Sequence, residues 1–195
     1  FGLQNQFQGI VKTVNYEAEN APEFKTDKST SEISGALGYL TKLNLFKKDS
    51  SEKNYHLLTP KMLIRYAPGH MRDVKSGDRL KYTSLYDLNK VNEIDVLENG
   101  LSASIGLNYE KRIIESDGDI GPKKIELSIG QVISEKENLD IPSASSLEQR
   151  FSDVVGNASY KFNEKFDLTY DFALDQNYRE FNYNEVGTSL KLDRA

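Results

Sequence analysis

The residues of this chain most able to do chemistry are two histidines and two groups of aspartates. His56 and His70 have no partner motif around them: neither HExxH nor GxSxG occurs. Both read as solvated loop or strand-end side chains. Asp117-Gly118-Asp119 holds two carboxylates close together, but the calcium-loop pattern with its distal Glu is absent, so a polar turn is expected. Asp167, Asp171 and Asp175 recur every fourth residue. On an extended strand that spacing is about 13 Å at roughly 3.3 Å per residue. A proton-sharing pair needs carboxylates in contact, so these read as a hydrated acidic face. No Cys is present, which excludes thiolate metal sites and a disulfide framework. Catalysis and cofactors are therefore not expected.

What positions the aspartates is alternation. In NASYKFNEKFDLTYDFALDQ (157–176), Tyr160, Phe162, Phe166, Leu168, Tyr170, Phe172 and Leu174 share one face. Asn157, Ser159, Lys161, Asp167, Thr169, Asp171 and Asp175 share the other. Period 2 with a break at Asn163-Glu164 predicts an antiparallel hairpin with an apolar and a polar face.

The same period recurs along the chain. Ile33, Leu37, Tyr39, Leu43 and Leu45 share a parity over 31–47, and Leu58, Met62, Ile64 and Tyr66 over 57–66. Leu101, Ala103, Ile105, Leu107 and Tyr109 do so over 99–112, and Ile125, Leu127, Ile129 and Ile133 over 123–135. A weaker strand at 5–17 carries Ile10, Val14 and Tyr16. The run 180–193 changes phase between Phe181/Tyr183 and Val186/Leu190/Leu192, which predicts a bulge or a late strand start near Glu185. Pro60 predicts a strand start, since it cannot donate to a ladder. About eight strands result, many longer than the 5–6 residues of an average soluble strand and matching the roughly 9–11 needed to cross an outer membrane.

Connections at 18–30, 67–97 and 137–151 are long and polar, whereas 48–54 and 163–164 are short and 114–122 is intermediate. Long and short roughly alternate, as in outer-membrane barrels with short periplasmic turns and long external loops. The short link near 176–179 departs from that pattern. Within the longest connection, RLKYTSLYDLNK (79–90) mixes aromatics with charges and suggests an ordered loop. A nucleic-acid platform there conflicts with the net charge of −5.

Hydrophobic residues make up 37% of the 195, thin for a water-soluble core, yet aromatics at 10% are too many for a disordered chain. No apolar run reaches the roughly 18 residues of a transmembrane helix. A start at Phe1 without Met suggests a segment of a longer or processed protein. The expected fold is all-β: an antiparallel transmembrane barrel segment of about eight long strands, cut from a larger barrel. A soluble secreted β-sandwich binding module and a porin-like barrel are the alternatives. In a sandwich the apolar faces would pack on a second sheet.

Several stretches occur in a telling order: LTPKMLIRYAPG, SGDRLKYTSLYDLNK, ENGLSASIGLNYE, LSIGQVISEKE, SDVVGNASYKFNEKFDLTYDFALD and a closing LKLDR. This order resembles the C-terminal part of the barrel of the LptD family, the lipopolysaccharide-assembly proteins of the Gram-negative outer membrane. The resemblance is strongest over 55–195. It implies that 1–195 forms part of one outer-membrane barrel domain without the family's periplasmic jellyroll. It further implies insertion of lipopolysaccharide into the outer leaflet, an LptE-like plug lipoprotein, periplasmic bridge proteins as donors, and a lateral gate outside this segment. On that reading the Tyr160–Leu174 apolar set faces lipid and the Asn157–Asp175 polar set faces the lumen. Phe162 and Phe166 then form part of a periplasmic aromatic girdle, with Tyr178, Phe181 and Tyr183 near the opposite interface.

Overall fold

A computed structural model describes residues 2–17, 29–49, 54–69, 71–114, 120–163 and 165–192. Eight strands form one sheet: β1 (Gly2–Tyr16), β2 (Thr30–Lys48), β3 (Asn54–Ala67), β4 (Gly100–Ile114), β5 (Ile120–Ser134), β6 (Val154–Lys161), β7 (Phe166–Leu174) and β8 (Phe181–Leu190). Each pairs antiparallel with the next in chain order. β1 and β8 do not pair with each other, so the sheet is an open meander. A single sheet among the described residues excludes the sandwich, because no second sheet covers the apolar faces.

The registers carry the alternation across the whole sheet. Leu107 lies opposite Pro60 on one side and Ile129 on the other; Ile129 lies opposite Gly156, and Gly156 opposite Phe172. Directly opposed residues point the same way, so these rows make one continuous apolar face. Ile64, Tyr66, Ile105, Leu127, Ile129 and Leu168 all stand exposed on it. Five alternate positions per strand, such as Leu101 to Tyr109, cover roughly 26 Å at about 3.3 Å per residue. That run along the strand is comparable to the roughly 25 Å apolar band of outer-membrane barrels. Charge reappears where the band ends: Lys47, His56 and Lys111 form one row beside the short turns. Gln131, on the apolar parity, donates through Nε2 to the Ser152 carbonyl at 2.7 Å.

All long connections leave from one end. They join β1–β2, β3–β4 and β5–β6, while β2–β3, β4–β5 and β6–β7 turn at the other end. At the β6–β7 turn the Asn163 carboxamide oxygen accepts the Lys165 and Phe166 N–H groups at 2.8 and 2.9 Å. This side-chain bonding is why Asn suits a tight turn. Glu164, its predicted partner, lies outside the described residues, as do His70 and Asp117 to Asp119.

Four sequence expectations change. In β1, Ile10 pairs with Ala36 and packs with Ala67 and Leu97, on the face opposite the apolar band. The band-side residues of β1 are Leu3, Phe7 and Val11, which pair with Leu43, Tyr39 and Gly35. The mixed apolar content of β1 on both parities hid this. Pro60 does not start a strand; it lies inside β3. Its ladder to β4 is intact, while the pairing to β2 skips from Lys42↔Lys61 to Leu45↔Leu58. There Thr59 Oγ1 donates to Asn44 Oδ1 at 3.2 Å, spanning the gap left by the missing N–H. The phase change in β8 is a bulge at Asn182, since Leu174 opposes Phe181 while Ala173 opposes Tyr183. Phe181 thereby joins the apolar face against Phe172, ring centroids 6.0 Å apart, and Tyr183 turns to the other. Asp175 is not a strand residue. Its N–H donates to the Glu180 carbonyl and its carboxylate accepts the Asn177 N–H at 3.0 Å, closing the β7–β8 turn.

Candidate functional site

The face opposite the apolar band is polar and only partly open. Gln8, Lys12, Lys42, Lys61, Arg65, Asn108, Glu110, Glu126, Ser128, Asn157 and Asp171 all lie on it by register. Phe46 and Leu57 interrupt it near the short turns. Neighbouring groups bond across strands. Asn108 Nδ2 donates to Glu126 at 2.8 Å and to Ser128 Oγ at 2.9 Å. Lys124 bridges Glu110 and Glu126 at 2.9 and 2.8 Å. Asn157 Nδ2 donates to Asp171 at 2.8 Å. Thus Asn157, Ser159, Lys161, Asp167, Thr169 and Asp171 share one face of the β6–β7 hairpin. Tyr160, Leu168, Tyr170, Phe172 and Leu174 share the other, with Phe166 at the start of β7 and Phe162 just beyond β6. Tyr160 and Phe162 rings meet edge-on at 6.0 Å. No catalytic constellation forms among the described residues. His56 Nδ1 contacts the Tyr109 hydroxyl at 2.8 Å near the charged rim of the apolar face.

The β3–β4 connection (68–99) folds back onto the polar face as a strap. Leu80, Leu85 and Val91 pack with Val132, Val155 and Ala173 of the wall and with Ile141 and Leu147 of the β5–β6 connection. Sequence alternation misses this core, because Val132, Val155 and Ala173 sit on the otherwise polar parity. A usable signal was the glycines on that parity. A Cβ at Gly106 would strike the Tyr86 hydroxyl, and one at Gly130 the Leu85 side chain. Glycine inside a strand marks such a close approach. The segment 79–90 is ordered, as the sequence suggests, and contains a short 3-10 turn at Tyr82–Ser84.

Charge fixes the strap as well as packing. Arg65, buried on β3, donates from Nε to the Leu88 carbonyl at 2.7 Å, and from Nη2 to the Glu98 carbonyl at 2.5 Å and its carboxylate at 3.2 Å. The Glu98 carboxylate also accepts the Val91 N–H. Lys12 Nζ reaches the Glu93 and Val96 carbonyls at 2.6 and 2.7 Å. Arg72 meets Asp95 at 2.6 Å, and Arg79 lies 3.6 Å from Asp153. These bonds satisfy carbonyls that a buried loop otherwise leaves without partners. A cavity of about 30 Å³, room for one water, remains beside Arg65, Lys90 and Glu98.

Lys90 donates to the Asp87 carbonyl at 3.0 Å but has no carboxylate at bonding distance among the described residues. Burial, reinforced by Arg65, lowers its pKa to about 8. A lysine lowered on folding binds fewer protons folded than unfolded between about 8 and 10.5, so stability rises with pH across that window. Lys90→Met should therefore stabilise the protein at pH 7, with the gain shrinking as pH climbs through 8 towards 10.5. Urea unfolding of both forms at several pH values measures this. A gain that stays constant with pH contradicts it.

Comparison with known proteins adds identity to this geometry. The model of the LptD family, described as LPS transport system D, matches residues 12–195. No curated protein sequence matches the chain. The match spans nearly the whole chain, so the chain belongs to the LptD family, whose role is lipopolysaccharide transport at the Gram-negative outer membrane.

Proposed function

We propose that this member of the LptD family forms part of the barrel wall through which lipopolysaccharide is inserted into the outer leaflet. The observation that carries the reading is the two-sided sheet: one continuous apolar face exposed over five strand positions, and one hydrogen-bonded polar face. A bilayer requires the first, because lipid-exposed strands must be apolar and their backbone groups paired. A passage for a charged saccharide headgroup requires the second, because a dry wall would strip its hydration without replacement.

On this reading Tyr160, Phe162, Phe166, Leu168, Tyr170, Phe172 and Leu174 face lipid. Asn157, Ser159, Lys161, Asp167, Thr169 and Asp171 face the lumen, and Asp175 sits at its long-loop mouth. The long connections lie on the external side and the Asn163 turn on the periplasmic side. The strap occupies the external half of the lumen and narrows it from within. An LptE-like plug and periplasmic bridge proteins are the partners, and residues 1–195 are part of one outer-membrane barrel domain. Transport through such a wall needs binding and release of a headgroup and no bond chemistry.

Photoreactive residues placed singly at Ser159 or Thr169 should trap lipopolysaccharide in growing cells. The adducts should disappear when lipopolysaccharide synthesis stops. Residues at Leu127 or Ile129 should trap bulk membrane lipid under both conditions. Adducts that form equally at both sets of positions would refute the lumenal passage.

A further inference from the structure

Cations of the polar face and of the strap docked on it differ in their partners. Arg65, Arg72, Arg79, Lys81, Arg112 and Lys124 each have a carboxylate within 4 Å. Lys42 and Lys61 have none among the described residues, yet they lie directly opposite each other on β2 and β3. Like charges in that position repel and weaken the strand pair. Glu126, whose carboxylate charge reaches Lys61 electrostatically, is already engaged by Lys124 and Asn108.

What surrounds the two lysines is built of neutral donors and rings. Gln4 of β1 opposes Lys42, completing the row Gln4–Lys42–Lys61, and Gln6 lies one step along the same face. A groove of about 290 Å³ opens there, lined by Gln4, Gln6, Leu40 and Lys42 among others. On the far side the strap closes the row. Lys61 Nζ stands 5.5 Å from the Tyr86 ring centre and 6.0 Å from that of Tyr82. These rings meet at 84°, with centroids 6.0 Å apart, and hold the ammonium by cation–π attraction. The ammonium is thus held in place while its hydrogen-bond donors remain available.

We propose that the Gln4–Lys42–Lys61 row, bounded by Tyr82 and Tyr86, is a subsite for a phosphorylated sugar of the transported glycolipid; it rests on the lumenal passage argued above. Two opposed ammonium groups supply up to six donors to a phosphate placed between them, and the anion removes their repulsion. The Gln4 and Gln6 carboxamides both donate and accept, which suits adjoining sugar hydroxyls. Lysine point charges without a bidentate arginine bind loosely enough to release a passing headgroup.

The test uses the full-length protein in proteoliposomes, with a photoreactive residue at Leu40 beside the row or at Asn157 remote from it. The probes are lipopolysaccharide, the same glycolipid stripped of phosphate, and inorganic phosphate as competitor. Lys42→Gln/Lys61→Gln should lower the Leu40 adduct roughly tenfold, the loss of about one charge-assisted hydrogen bond. Lys42→Arg/Lys61→Arg should retain it, and the Asn157 adduct should hardly change. Phosphate-stripped glycolipid should label wild type at Leu40 as weakly as lipopolysaccharide labels the Gln variant. Inorganic phosphate should compete only weakly if the sugar contributes, whereas full displacement by it at equal concentration would make the row a free-phosphate site and overturn the proposal. An unchanged Leu40 adduct in the Gln variant, with Asn157 still labelled, overturns the subsite and leaves the passage standing. Loss of adducts at both positions in wild type overturns the passage, and the subsite with it.

Discussion

Arg65→Ala should destabilise the folded protein by about 3–5 kcal/mol, the cost of breaking a buried ion pair by removing one partner. Arg65 is 2% exposed and Glu98 is 6% exposed, so neither charge has water to fall back on. Without the guanidinium, the Leu88 and Glu98 carbonyls lose their donors. The Glu98 carboxylate keeps the Val91 N–H but loses its countercharge. The strap should then lift from the wall and expose Leu80, Leu85 and Val91. Arg65→Lys should recover part of the loss, since one ammonium cannot serve Leu88 and Glu98 from the two ends of a planar fork. Urea unfolding in lipid vesicles gives the stability, and protease cleavage within 71–98 reports strap release. A loss below about 1 kcal/mol, in the range of an exposed pair, would mean that the strap is held by its apolar contacts alone.

The second large effect lies on the other face. Leu107 is at the middle of β4, the central residue of Gly100–Ile114, and opposes Ile129. Leu107→Arg should cost roughly 2–4 kcal/mol if that row meets the bilayer midplane, where a charge on the lipid face is most expensive. Leu168→Arg should cost less. Its row includes Ile125 and Tyr160 but continues to His56, Lys111 and Lys47, at the rim where charge is tolerated. Asp171→Asn, on the polar face, should be mild because the Asn157 amide still finds an oxygen. Equal costs for Leu107→Arg and Leu168→Arg would argue against a depth gradient across this face.

The strands were legible because their cause is local. A period of two over eight or more residues leaves few other folds, and strand lengths from 8 to 19 residues follow it. The polar and apolar sides of the β6–β7 hairpin could be read from residues 157–174 alone, since each parity there is nearly pure. β1 was harder: Leu3, Phe7 and Val11 alternate with Ile10, Val14 and Tyr16 at the far end, so both parities carry apolar side chains. The strap was legible only as order within 79–90. Its docking joins Leu80 and Leu85 to Val132 and Val155, residues far apart in sequence, and no periodicity encodes such a contact. Arg65 looks from the sequence like any strand cation; only folding shows Glu98 and two carbonyls converging on it. The Lys42–Lys61 pair was hidden for the same reason, since register alone brings residues 42 and 61 opposite each other.

The central claim is that the two faces of this sheet meet different solvents. The chain has no Cys, so single cysteines can carry a fluorophore at each position from Phe166 to Leu174 without background labelling. Quenchers attached to lipid acyl chains should then extinguish probes at 166, 168, 170, 172 and 174 and spare those at 167, 169, 171 and 173. Quenching of equal strength at both parities would contradict a lipid-facing wall with a wet inner side.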